Sequence, residues 1–164
     1  MKHKSNPFVL FKFVNMTFKQ KILNHHLTLL QDKIDVYRDM ISGLADDAQN
    51  DAKSSAGDKH ETALSMMHLE QEKLSAKLQE AINFKGILGK IDASVSSKTI
   101  AIGSLVKANG LQLFISAALP KITIDGISVL ALSPQSPLGS QILGKQIGDV
   151  VEVNGSRFVI EDVV

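Results

Sequence analysis

Several residue types that carry chemistry are missing or scarce in this sequence. It contains no cysteine and no tryptophan among its 164 residues, so disulfides, cysteine-ligated zinc and a cysteine nucleophile are excluded. The formal net charge is only +1, so no overall basic field attracts free nucleic acid. No apolar run approaches the roughly 20 residues that a membrane-spanning helix needs. We therefore expect a cytoplasmic protein with no membrane partner, whose contacts with nucleic acid are local or supplied by another protein.

The N-terminal segment 1–15 (MKHKSNPFVLFKFVN) differs from the rest of the chain. It joins basic residues to a short apolar run that Lys12 interrupts. No small-residue cleavage site follows, so the pattern does not match a secretory signal. We interpret 1–15 as a disordered extension before a folded chain that starts at Met16, and an ordered role for the segment is the alternative.

Two long segments have apolar residues at alternating spacings of three and four, which is typical of a coiled-coil seam. The two seams are equal in length and pair about a centre near residue 56. The sequence therefore predicts an antiparallel helical hairpin over 16–89, with its turn at Ser55–Gly57. At about 1.5 Å per residue, arms of this length extend roughly 45 Å. The seam positions are Leu23, Leu27, Leu30, Ile34, Tyr37, Ile41, Leu44 and Ala48, then Leu64, Met67, Gln71, Leu74, Leu78, Ala81, Lys85 and Leu88.

Two acids three residues apart, Asp58 and Glu61, follow the predicted turn. Asp58 is suited to cap the second helix, and Glu61 completes a variant of the capping box. Acids also stabilise a helix N-terminus through its dipole. Capping alone therefore explains both residues, and it is compatible with a further role at the tip of the hairpin.

Beyond Gly89 the sequence becomes less charged, and short β-branched segments alternate with turn signals. Asn154-Gly155 is the strongest hairpin signal, while Ser136, Pro137 and Gly144 predict a short helix. The predicted fold class is thus α+β: a coiled-coil hairpin, a linker, and a small antiparallel β-sheet domain with one short helix over 98–164. The predicted strand segments are Thr99–Val106, Leu111–Ala117, Lys121–Leu132, Asp149–Val153 and Arg157–Val163.

No other group of residues suggests catalysis or metal binding. The β domain contains no histidine, and its acids fall in turns or beside strands. His25 and His26 are adjacent rather than facing, while His60 and His68 lie on different faces of the second helix. We expect each of these histidines at the surface.

Two motifs resemble those of the Gre transcript-cleavage factors, bacterial proteins that bind RNA polymerase. Residues 136–153 (SPLGSQILGKQIGDVVEV) look like the C-terminal signature of that family, and residues 57–61 (GDKHE) are similar to its Gly-Asp-x-x-Glu finger-tip motif. The resemblance covers about 16–164. It implies an FKBP-like C-terminal domain that grips the polymerase at the rim of its secondary channel. The best candidates for that contact are Ser133, Pro134, Ser136 and Pro137.

The resemblance also implies that the hairpin enters the secondary channel and brings Asp58 and Glu61 to the catalytic centre. There the two acids would help to hold a Mg²⁺ ion of the polymerase and orient water, so that backtracked RNA is cleaved near its 3′ end and elongation resumes. Carboxylates are suitable ligands for Mg²⁺. Phosphoryl chemistry with two metal ions requires that the attacking oxygen and the leaving oxygen are both held in place. The chain would have no cofactor of its own and would not be an enzyme alone.

The sequence departs from the family motif just after the tip. Thr62, Leu64 and Ser65 stand where the family has asparagine, an acid and tyrosine. Two alternatives therefore stay open. One is a channel-binding regulator or inhibitor that does not promote cleavage, and the other is a coiled-coil protein with no role at the polymerase.

Overall fold

The structure is a computed structural model that describes residues 16–52 and 58–164. Its α+β class agrees with the prediction, since two long helices precede a mostly antiparallel sheet of six strands with one short helix. The predicted turn at Ser55–Gly57 and the extension 1–15 lie outside the described residues. The elements are α1 (Phe18–Ala52), α2 (Asp58–Gly89), β1 (Leu105–Ala108), β2 (Leu111–Ile115), β3 (Ile122–Ile124), β4 (Ile127–Leu132), α3 (Pro137–Ile142), β5 (Val150–Val153) and β6 (Ser156–Val163).

The described residues form two compact units. The hairpin unit comprises residues 27–89, and the β unit comprises residues 16–26 with 90–164. The first turns of α1 therefore pack with the sheet, and the helix continues into the hairpin unit. Within these described ranges, no helix is both long and apolar enough to cross a lipid bilayer.

The predicted seams form the interior of the hairpin unit. Ile34 is 2% exposed and Leu74 is 3% exposed, and of the seam positions in this unit only Lys85 is exposed. Lys85 instead donates a hydrogen bond to the Gln31 side chain across the hairpin. Burial of the apolar residues spaced three and four apart on each helix stabilises such a pair, because helix propensity alone contributes little to the stability of a helix.

The two helices of the hairpin unit run antiparallel, as predicted. Near one end, Leu44 of α1 and Leu64 of α2 line the same groove. Farther along, Gln31 of α1 meets Lys85 of α2. Along the axis of the hairpin, residue numbers therefore decrease on one helix as they increase on the other.

The sheet has the strand order β3-β4-β2-β1-β6-β5. All neighbouring strands are antiparallel except β2 and β4, which are parallel. Because side chains alternate between the faces of a strand, one face of the sheet packs with α3 and the other is free to receive α1. The buried residues on the α3 side are Ile100, Val106, Ala108, Leu113, Ile115, Ile142, Val151, Ile160 and Val163.

Two of the predicted strand segments differ from the observed strands. The segment predicted from Thr99 becomes a strand only at Leu105, because Gly103 has a φ of 93° that interrupts the extended backbone. The segment Lys121–Leu132 is divided into β3 and β4 by a turn at Asp125, whose φ is 51°. The hairpin at Asn154-Gly155 is confirmed, with φ angles of 51° and 78° at the turn and β5 paired to β6.

The first turns of α1 are anchored on the sheet by buried polar groups. The His26 ring stacks on Phe114, with centroids 6.3 Å apart and planes 8° from parallel. His26 is 1% exposed, so the expectation that it lies at the surface is wrong. The Lys19 ammonium donates to the carbonyl oxygens of Val95 at 2.8 Å and Val164 at 3.2 Å, and burial lowers its pKa.

Burial makes His26 a source of acid sensitivity. Burial first, and the neighbouring His25 second, lower the pKa of His26 from 6.5 to about 4. Between those values the unfolded chain binds the proton more readily, so stability falls as pH drops from 6.5 toward 4. After allowance for partial screening, the expected loss is about 2 kcal/mol.

Phenylalanine at position 26 is expected to remove this loss. The variant His26→Phe keeps the stacking on Phe114 and removes a buried Nε2 for which the described part of the chain offers no hydrogen-bond partner. Urea unfolding at pH 7 and pH 4.5 measures the difference. The exposed neighbour provides a matched control, since His25→Gln removes only the smaller of the two causes and should change the pH dependence much less than His26→Phe does. Equal pH dependence in His26→Phe and wild type would contradict the assignment.

Candidate functional site

The predicted tip acids lie at the start of α2. The helix begins at Asp58, and Glu61 is exposed one turn later. Helical positions three apart share a face. The side chain of Asp58 and the residues 53–57 lie outside the described part of the chain, so the capping box stays a prediction. What is described is one exposed carboxylate on the first turn of α2.

The described residues do not form a metal site by themselves. Among them, no group of three or more His, Asp or Glu side chains could hold an ion. Mg²⁺ prefers six ligands in octahedral geometry and usually retains several waters. Two tip carboxylates therefore fit a Mg²⁺ ion only as supplementary ligands, with the remaining ligands supplied by a partner.

A groove of about 480 Å³ lies between the helices near the start of α2. It contains His60, whose Nδ1 is buried and has no hydrogen-bond partner among the described residues. The spacing 60–64–67 extends the second seam by one step toward the tip. This spacing is the sequence signal that would have identified His60 as a seam residue. The expectation of a surface histidine there is therefore corrected to a half-buried one. The groove is lined by Leu44, Asp47, Ala48, His60, Ala63, Leu64, Met66, Met67 and Glu70.

The second candidate region precedes α3 in the β unit. Ser136 caps this helix: its hydroxyl accepts a hydrogen bond from the Gly139 backbone N–H at 3.0 Å and donates to the Ser133 carbonyl at 2.7 Å. Pro137 occupies the first helical position, where its missing N–H costs nothing. Ser133, Pro134 and Ser136 are half-buried, and Pro137 is exposed. A partner touching this loop would therefore meet mainly Pro137 and the exposed side chain of Gln135.

The two predicted regions belong to different units. Asp58 and Glu61 lie in the hairpin unit, whereas Ser133 and its neighbours lie in the β unit. They are two separate candidate surfaces, and each needs its own experiment.

Comparisons with known proteins find a distant structural similarity. No protein-family model and no curated protein matches the chain. The crystal structure of GreA factor homolog 1 (Gfh1) of Thermus thermophilus is similar over 84% of this chain and 94% of that chain, with 18% sequence identity and a TM-score of 0.34. A sequence identity and a TM-score this low do not assign a function. Any functional assignment must therefore rest on the residues of the chain itself.

Proposed function

We propose that this chain is a Gre-like transcription factor that binds RNA polymerase through its secondary channel and stimulates cleavage of backtracked RNA. The observation that carries the proposal is the position of Asp58 and Glu61 on the first turn of α2, the helix that follows the predicted turn. The similarity of residues 57–61 and 136–153 to the family's motifs supports it. The chain stimulates the polymerase's own nuclease activity and does not catalyse cleavage by itself.

Each unit has its own part in this proposal. The hairpin brings the two carboxylates to the polymerase's catalytic Mg²⁺, where they add negative ligands and accept hydrogen bonds from water. Glu61 is exposed and has room for this role. The β unit, which we take to be FKBP-like, holds the channel rim through the loop Ser133–Pro137, where Pro137 offers a rigid exposed surface.

A second candidate function is a channel-binding regulator that does not promote cleavage. It is favoured by Leu64, which stands where the family has an acid. Leu64 is half-buried and lines the groove between the helices. No substitute carboxylate therefore comes from this position. Such a regulator would bind in the channel through the same two surfaces, the tip of the hairpin and the loop before α3.

The deciding experiment uses a stalled, backtracked elongation complex with labelled RNA, Mg²⁺ and the cognate polymerase. Faster appearance of shortened RNA in the presence of the chain supports a cleavage factor. Polymerase binding without faster cleavage supports the regulator. No binding, in a pull-down with the same polymerase, would overturn both.

A further inference from the structure

The first turn of α2, residues 58–61, carries both tip acids, and the structure describes three of its four side chains. Lys59 and Glu61 are exposed, whereas His60 is half-buried. The next residue of the seam, Leu64, follows one turn later. Among the described side chains of the first turn, His60 is therefore the one that is packed.

His60 lies on the side of α2 that faces α1. It lines the groove between the helices together with Leu44 and Ala48 of α1 and with Leu64 of α2. Its Nδ1 is buried without a hydrogen-bond partner in the described ranges, and no ion pair described there involves the ring. The surroundings of His60 are thus those of a packed seam residue.

The packing of His60 sets the direction of its neighbour Glu61. Consecutive residues of an α-helix lie about 100° apart around its axis, since 3.6 residues complete one turn. With His60 directed toward α1, Glu61 is directed away from the seam, which agrees with its exposure. Rotation or unwinding of the first turn would move the Glu61 carboxylate. A residue that fixes this turn therefore also fixes the acid.

The start of a helix needs such a contact. Its first N–H groups have no partner within the helix, and segments with few buried contacts open locally at little cost in free energy. We propose that His60 is a positioning residue for the tip acids. By packing between the helices, it keeps the first turn of α2 formed and so keeps Asp58 and Glu61 in place.

The shape of the His60 side chain performs this role, and its nitrogen atoms do not. A buried nitrogen without a partner lowers stability, so an apolar side chain of similar size should hold the turn at least as well. Leucine is such a side chain, whereas alanine is too short to fill the position. The pair His60→Leu and His60→Ala therefore separates packing from any chemistry of the imidazole.

Amide hydrogen exchange of the free chain tests the packing without polymerase. The amides of residues 62–64 donate to carbonyl groups of the first turn, so their exchange rates report its opening. We expect exchange roughly fivefold faster or more in His60→Ala, and no faster than wild type in His60→Leu. Leu78→Ala is the matched control, because it truncates a half-buried seam residue far from the start of α2, and it should leave these rates unchanged. Unchanged exchange in His60→Ala would overturn the proposal.

RNA cleavage in the backtracked complex tests the consequence, and this part rests on the proposed function. At saturating factor, His60→Ala should cleave roughly tenfold or more slowly, because small displacements of a reacting group cost this much. The concentration of factor that gives half the maximal rate should stay near the wild-type value. His60→Leu and Leu78→Ala should both cleave at the wild-type rate.

Two results of the cleavage assay would contradict the positioning role. Full cleavage by His60→Ala would show that the acids do not depend on this contact. A loss in His60→Leu as large as in His60→Ala would assign the imidazole a chemical role instead. If wild type itself does not cleave, the proposed function fails, and the exchange rates then decide whether His60 fixes the first turn.

Discussion

Alanine at both Asp58 and Glu61 is expected to lower stimulated RNA cleavage by roughly 10²–10³-fold while polymerase binding stays unchanged. Under the proposed function, the two carboxylates lie beside the polymerase's metal ion and stabilise charge that exists only during the reaction. The contacts that hold the chain on the polymerase would then be made elsewhere. Single-turnover cleavage in the backtracked complex, at saturating factor, measures the first quantity. Competition with a labelled wild-type chain measures the second.

Two controls separate metal binding from helix capping and from simple loss of charge. Asp58→Asn with Glu61→Gln keeps a good N-cap but removes both charges, so it should fail like the alanine variant. Glu72→Ala with Glu80→Ala removes two exposed acids from the same helix away from its first turn, so it should cleave normally. Full cleavage by the Asn-Gln variant would assign the tip acids to capping alone.

The hairpin was predictable because its stabilising pattern is local. The alternation of three and four positions depends only on helix geometry, and the burial of residues such as Ile34 and Leu74 follows it closely. The predicted second seam stops one step too early: His60 continues it, yet a histidine does not count as apolar. A half-buried histidine at a seam position is the kind of residue that composition-based patterns overlook.

The β unit was less predictable because its determinants are not local. Residues 99–104 have the composition of a strand, but Gly103 has positive φ and the Ile100 amide donates to Lys145, far along the chain. His26 belongs to an α-helix whose partner, Phe114, is a strand residue. Its burial follows from a contact 88 positions away in sequence, and no periodicity within α1 encodes it.

The C-terminal signature has a structural explanation at several of its positions. Ser136 caps α3, Gly144 and Gly148 have φ angles of 77° and 91°, and Asp149 accepts a hydrogen bond from the Gln146 backbone N–H at 2.8 Å. A chain that shares these residues shares a local fold. The signature therefore supports the architecture, whereas the proposed function depends on the tip acids and on the loop before α3.

Gly139 is the position in that signature where a single methyl group is expected to cost the most. It is buried on α3, and a Cβ added there would lie 2.0 Å from the Ser133 carbonyl oxygen and 2.7 Å from the Ser136 hydroxyl. The first of these is a backbone atom, so it cannot rotate away. The same carbonyl accepts hydrogen bonds from the Ser136 N–H and hydroxyl, which fixes its position.

Gly139→Ala is accordingly expected to destabilise the β unit by about 3 kcal/mol, the upper range for overpacking a buried site. That corresponds to a melting temperature of the β unit lower by roughly 12–24 °C, which differential scanning calorimetry measures directly. Gly86→Ala is the matched control: position 86 lies within α2 with open space around its Cβ, so there alanine should stabilise by about 0.5–1 kcal/mol. Equal effects at the two glycines would contradict the close approach at Ser133. Because the loop Ser133–Pro137 is held by the same contacts, Gly139→Ala should also weaken polymerase binding under the proposed function, while Gly86→Ala leaves it unchanged.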